Sequence, residues 1–278
     1  MTEIGSNNPE FVVSLPGRAD AQIRLAWAAS TDVGKRRSAN EDSYVAQSPV
    51  FAVADGMGGH AAGDLASAAV VRRLAETNSQ DFTVTEVIDR ALEAATDDIE
   101  LVSVDSELGV GTTATGAVLT MMGEDPYFAV FNVGDSRVYA FEGGRLHQVT
   151  VDHSVVQEMV DAGMISRAQA EHHPDNNIIT RAVGFGAPPT ADYWMLPLAP
   201  GVRLLICSDG LNKELSDDDV RDILAAGDSA DETVTKLVNA ALDAGGRDNV
   251  TVIVVDVLEA PINHQHDIRT GETDAVTE

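Results

Sequence analysis

Hydrophobic positions along the chain fall in short runs broken by turn-forming residues, with three longer stretches at helical spacing between them. Residues 24–29 and 50–54 are apolar-rich and stop at polar turns. Residues 113–122, 127–133 and 137–141 read as consecutive strands, and the breaks at 123–126 and 134–136 suit hairpin turns. Residues 203–208 and 250–257 are β-branched or aliphatic runs of strand length. Residues 61–75, 84–101 and 233–244 are helix-favouring, with apolar positions three and four apart. Hairpin strands flanked by helices predict an α+β domain of layered, largely antiparallel sheets.

The two ends break this pattern. Residues 1–23 hold polar and turn-forming types (Gly5, Ser6, Asn7, Asn8, Pro9, Pro16, Gly17) with little periodicity, and read as an arm preceding a domain over 24–258. Residues 259–278 are polar again and read as a solvated tail, although the spacing of His264 and His266 could also bind a metal. No internal repeat is visible. The single cysteine, Cys207, has no partner for an intrachain disulfide, which fits a reducing compartment. No apolar run approaches the roughly 20 residues that span a bilayer, and residues 1–16 lack the basic and apolar regions of a signal peptide. A cytoplasmic protein without membrane insertion is expected.

Charge narrows the function classes. The 278 residues, enough for one large domain or two small ones, include 18 Lys+Arg against 45 Asp+Glu, for a formal net charge of −27. Such a chain repels nucleic-acid phosphates and anionic lipid, so no nucleic-acid partner is expected. Divalent cations and basic partners are favoured instead.

Placement of the aspartates carries the chemistry. Asp55 ends an apolar run and opens Asp55-Gly56-Met57-Gly58-Gly59-His60, and Asp209 ends another and opens Asp209-Gly210. Asp135 follows the run ending at Gly134, and Asp248 with Asn249 precedes the run from Val250. Four carboxylates at strand ends, each beside a residue that permits a sharp turn, can project into one cleft. They would repel one another unless a cation sat between them, and hard oxygen ligands select Mg²⁺ or Mn²⁺. Asp-Gly is equally a common structural turn, so the pattern by itself leaves both readings open. Lys35-Arg36-Arg37, followed by Glu41 and Asp42, is a local concentration of cations whose guanidinium forks suit phosphate, or else a surface loop with weak ion pairs. Cys207, inside an apolar run, reads as a buried small hydrophobe rather than a nucleophile. His172-His173 reads as a turn or helix end rather than a zinc site, and Trp27 and Trp194 as packing residues.

Taken in order, Arg37-Ser38-Ala39-Asn40-Glu41-Asp42, Asp55 to His60, Gly111-Thr112-Thr113, Gly134-Asp135-Ser136-Arg137, Ser208-Asp209-Gly210 and Arg247-Asp248-Asn249 resemble the successive motifs of the metal-dependent serine/threonine protein phosphatases of type 2C in their bacterial form. The stretch from Asp152-His153-Ser154 to Gly184 is similar to the flap segment of bacterial members. The resemblance implies a sandwich of two antiparallel β-sheets flanked by α-helices. It implies that Asp55 bridges two metal ions, with the Gly56 carbonyl on one of them, and that Asp209 and Asp248 complete the first ion's shell. Asp135 with Asp209 would hold a weaker third ion, Arg37 would bind the substrate phosphate, and Glu41 and Asp42 would orient neighbours or act through water.

The implied activity is hydrolysis of phosphoserine and phosphothreonine on proteins by a metal-bridging hydroxide, with two core Mn²⁺ or Mg²⁺ ions and no phosphoenzyme. His60 is a candidate acid for the leaving oxygen, or a structural residue at a helix start. The implied partners are phosphorylated proteins, including serine/threonine kinases and their substrates, met by a monomer. Two other classes stay open: a catalytically silent pseudophosphatase acting as a binding module, and a two-metal hydrolase of small phosphate compounds.

Overall fold

Side-chain alternation sorts the residues of the central strands onto two different apolar layers. Phe51 and Val53 point into one layer, while Val50, Ala52 and Ala54 point into another. Near the C-terminus Ile253, Val255 and Val257 share the first layer, and Val250, Val252 and Val254 enter a third. Strands buried on both faces read as continuous apolar runs, which is why residues 50–54 and 250–257 show no polar alternation.

The computed structural model describes residues 1–58, 62–102, 109–185 and 189–261. The order is β1 (Glu3–Gly5), β2 (Asn8–Leu15), β3 (Arg18–Asp32), β4 (Asp42–Gln47), β5 (Val50–Met57), α1 (Gly63–Ala75), α2 (Thr85–Val102), β6 (Gly111–Thr112), β7 (Ala114–Met122), β8 (Asp125–Val133), β9 (Arg137–Glu142) and β10 (Arg145–Gln148). It continues with α3 (Val155–Asp161), α4 (Arg167–Ala170), β11 (Asp192–Pro197), β12 (Arg203–Cys207), α5 (Asp209–Asn212), α6 (Asp217–Leu224), α7 (Ala230–Ala244) and β13 (Val250–Glu259).

One sheet runs β1-β4-β5-β7-β8-β11, with β6 paired to β5, and the other runs β10-β9-β12-β13-β3-β2. All pairings are antiparallel except β1 with β4. The inter-sheet layer holds Leu25, Trp27, Phe51, Leu119, Phe128, Leu204 and Val255. α1 and α2 cover the outer face of the first sheet through Val70, Leu74, Leu92 and Ile99. α6 and α7 cover the second through Val220, Leu224, Val234 and Leu237. The chain is an α+β sandwich of two mostly antiparallel sheets flanked by helices.

The strands and helices read from the sequence are present with shifted ends. The exception is residues 1–23, which are not an arm. β1 extends the first sheet, while β2 and the start of β3 extend the second. Their polar positions are the outward ones, while Val13, Leu15 and Ile23 are buried in the inter-sheet layer. Trp27 fixes this arrangement. Its ring packs edge-on against Phe11 and Phe51, and its indole N–H is shared between the carbonyls of Ser6 and Ala46, each at 3.0 Å. Residues 262–278, with His264 and His266, lie outside the described residues.

Replacing Trp27 by Phe keeps most of the ring packing and leaves those two carbonyls without their donor. It should lower stability by about 1–3 kcal/mol, read as a fall in the urea midpoint at unchanged slope.

Candidate metal centre

At one end of the sandwich the two sheets are tied by a buried carboxylate. Asp42 begins β4 directly opposite Asp55 on β5. Its Oδ2 accepts hydrogen bonds from Ser208 Oγ at 2.8 Å and Thr251 Oγ1 at 2.7 Å, both on the other sheet's side. Ser208 directly precedes Asp209, and its backbone N–H donates to the Thr251 carbonyl at 3.0 Å. Asp42 therefore sets Asp55, Asp209 and the start of β13 in one frame.

Each acidic turn is held by its neighbours. The Asp55 N–H donates to Thr113 Oγ1, while the Asp55 carbonyl accepts from the Thr113 N–H and from Thr112 Oγ1, each at 2.9 Å. Thr113 Oγ1 also meets Ser136 Oγ at 2.9 Å, next to Asp135. Gly134 makes the turn at φ +115°, a backbone conformation that favours glycine. On the far side, Asn249 Oδ1 accepts from the Glu41 N–H at 2.9 Å. Its amide donates to the carbonyls of Val33 and Ala39, so the loop carrying Arg37 is stapled to Asp248. Gly56 is required for contact: a Cβ there would collide with the carbonyl of Gly63 and lie 2.6 Å from that of Glu41.

The carboxylates share one electrostatic field. Burial, then Asp42, Asp209, Asp135 and Asp248, raise the Asp55 pKa well above the usual carboxylate range. Burial raises Asp42 to about 7 despite the Thr251 and Ser208 hydrogen bonds, with Asp209 and Asp248 adding to it. Burial and Asp209 raise Asp135 to about 7 against the opposing pull of Lys213. Glu41 is raised too, chiefly by burial.

Among the described residues, the Arg37 and Lys213 side chains pair with carboxylates of the cluster. Arg37 donates from Nη2 to Asp248 Oδ2 at 2.7 Å, and its side chain is half exposed. Burial works against its charge, but Asp248, Asp55 and Asp209 together raise its pKa. Lys213 pairs with Asp209 Oδ2. Among the described residues, no three His, Cys, Asp or Glu side chains are already drawn together as a metal-ion shell; Arg37 and Lys213 each take up one carboxylate oxygen.

The residues present nevertheless fit divalent cations. The donor set is all oxygen, as Mg²⁺ and Mn²⁺ require. Asp209 Oδ1, Asp42 Oδ1 and Asp64 Oδ1 are buried without a hydrogen-bond partner, which a folded protein seldom tolerates.

The structure thus brings Arg37, Glu41, Asp42, Asp55, Gly56, Asp135, Asp209 and Asp248 to one end of the sandwich. His60 lies outside the described residues. Two residues of this end escaped the sequence analysis. Asp64, in the first turn of α1, sits 3.8 Å from the chain's α-amino group and acts electrostatically on Glu41. Lys213 was legible only as a cation four residues, or one helical turn, after Asp209. Cys207 is fully buried under the α5–α7 layer, and burial pushes its thiol up to about 12, which removes it as a nucleophile. His173 Nδ1 accepts from the Asp175 N–H at 3.2 Å, a turn contact.

The sequence profile of protein phosphatase 2C matches residues 35–248. The chain belongs to the protein phosphatase 2C family. It is 36% identical over 258 residues to the serine/threonine protein phosphatase PstP of Mycobacterium tuberculosis, covering 91% of this chain and 49% of that protein. The chain therefore spans about half the length of that relative. It is 39% identical over 241 residues to the protein phosphatase PhpP of Streptococcus pneumoniae, covering 82% of this chain and 96% of PhpP. The crystal structure of the PstP catalytic domain in complex with 2 manganese ions superposes with TM-score 0.75 at 36% identity, over 85% of this chain and 99% of that one. Among the described residues, no helix is long and apolar enough to cross a membrane.

The raised carboxylates make a pH prediction for this member of the 2C family. Asp42 and Asp135 bind protons more tightly folded, at about 7, than unfolded, near 3.9. Folding therefore favours the protonated groups, and the cluster's contribution to stability falls as pH rises through that window. In EDTA, the melting temperature should fall between about pH 5 and pH 7.5. Mn²⁺ should raise it at pH 7.5 and raise it less at pH 5, as differential scanning fluorimetry will read.

Proposed function

We propose that this chain hydrolyses phosphoserine and phosphothreonine monoesters on proteins. The observation that carries the proposal is the gathering of Asp55, Asp135, Asp209 and Asp248 at one end of the sandwich with the Arg37 guanidinium facing them. Asp55, the Gly56 carbonyl, Asp209 and Asp248 would hold two Mn²⁺ or Mg²⁺ ions. When bound, such ions offset phosphoryl charge and acidify water for in-line attack on phosphorus.

The chain's own residues bind and orient. Arg37 has five N–H donors in a planar fork, of which Nη2 is engaged by Asp248. Its other donors suit two oxygens of the substrate phosphate, and its charge offsets that building on the equatorial oxygens during transfer. Asp42, through Ser208 and Thr251, holds the strand ends that carry Asp209 and Asp248 at fixed spacing. Thr112 and Thr113 do the same for the Asp55 backbone. His60 is the candidate donor of a proton to the leaving oxygen.

The substrates would be phosphorylated proteins, among them serine/threonine kinases and the targets of those kinases. A net charge of −27 favours basic sequence around the phosphosite. We place the protein in the cytoplasm, acting as a monomer.

Phosphate release from a phosphothreonine peptide should require Mn²⁺ or Mg²⁺, vanish in EDTA and return with added Mn²⁺. Asp209→Asn should reduce release to background with the fold intact by circular dichroism. Asp42→Asn, which alters only the support of that site, should cost about 10–100-fold. No release from folded wild-type protein with either metal would overturn the proposal in favour of a binding module. Faster turnover of a nucleotide than of the peptide would move the substrate class to small phosphate compounds.

A further inference from the structure

We propose that the Lys213 ammonium is the resident cation on the Asp135–Asp209 side of the centre and takes the place of a third divalent ion there. The inference rests on the metal-centre reading above and changes what that reading says of Asp135. Three observations support it.

Lys213 follows Asp209 by one helical turn, and its Nζ pairs with Asp209 Oδ2. The same Nζ donates to Asn177 Oδ1 at 2.7 Å, so the ammonium is held from two directions. Its side chain is three-quarters buried (26% exposed), unlike an ordinary surface lysine. Asp135 and Asp55 add their negative charge to the field in which that ammonium sits. Reciprocally, Lys213 is the strongest attractive influence on Asp135, ahead of Arg137.

A divalent ion brought to Asp135 and Asp209 would meet this fixed positive charge and compete with it for Asp209 Oδ2. An exchangeable ion leaves when its concentration drops, whereas a lysine is present at every concentration. Asn177 lies in the connection between α4 and β11, so the same ammonium ties that connection to the centre. Lys213 is thereby a positioning residue for both Asp209 and the segment across from it.

Equilibrium dialysis against Mn²⁺ with elemental analysis counts bound ions without reference to turnover. The wild-type chain should saturate at two Mn²⁺. Lys213→Met keeps the aliphatic stem and removes the charge, and should bind a third. Adding Asp135→Asn to Lys213→Met should return the count to two. Three ions on the wild type overturn the proposal without any variant. A folded Lys213→Met still binding two overturns it as well, and Lys213→Gln serves for the same count if the methionine variant does not fold. No Mn²⁺ on wild type or variant would overturn the metal-centre reading itself, and this inference with it.

Discussion

A single buried carboxylate joins the two halves of this protein. Asp42 belongs to one sheet, yet its hydrogen bonds go to Ser208 and Thr251 on the other. The apolar layer between the sheets gives cohesion but little positional definition, because hydrophobic burial is non-directional. The two short hydroxyl–carboxylate bonds supply the direction. They fix the separation of β5 from β12 and β13 at the end where Asp55, Asp209 and Asp248 emerge. Trp27, at the sandwich interior, plays the matching part for the first strands by sharing its N–H between the turn at Ser6 and β4.

That geometry has an electrostatic cost. Bringing Asp55, Asp135, Asp209 and Asp248 together around a buried Asp42 raises Asp42 and Asp135 to about 7 and Asp55 well above the usual carboxylate range, so the folded chain without metal holds protons it would release when unfolded. The basic residues near the cluster answer part of this charge, Arg37 on Asp248 and Lys213 on Asp209. They do not neutralise it, and buried carboxylate oxygens remain without partners. Stability has been given up for a site that attracts divalent cations, and a phosphate dianion can approach it only once the negative charge is offset.

Much of this was legible in the sequence, for physical reasons. Strand-end aspartates beside Gly or Asn announce themselves because a turn and a ligand need the same local chemistry, and the order of the motifs supplied the fold. Residues 1–23 read as an arm because edge strands β1 and β2 expose polar positions and β2 contains Pro9, so their composition resembles a loop while Val13, Leu15 and Ile23 lie in the core. β4 and β11 were passed over since their sequences, DSYVAQ and DYWMLP, mix polar and apolar residues without a regular period. Asp42 was legible as an acidic residue in a motif, but its role depends on Ser208 and Thr251, 166 and 209 residues away along the chain. No local pattern records such a contact. Lys213 was missed for a related reason: a lysine after an Asp-Gly turn is unremarkable until its neighbours across the cleft are known.

Asp42 and Asp135, raised to about 7 by burial and by neighbouring carboxylates, are partly protonated near neutrality and give up those protons when divalent cations bind. Calorimetric titration of the wild-type chain with Mn²⁺ at about pH 6.5, repeated in buffers of different ionisation enthalpy, counts the protons released. Release of one or more protons per chain is expected, declining as the pH is raised past 8. Mn²⁺ binding at pH 6.5 with no proton release would contradict it, because the cluster would then be ionised already and its repulsion met in some other way.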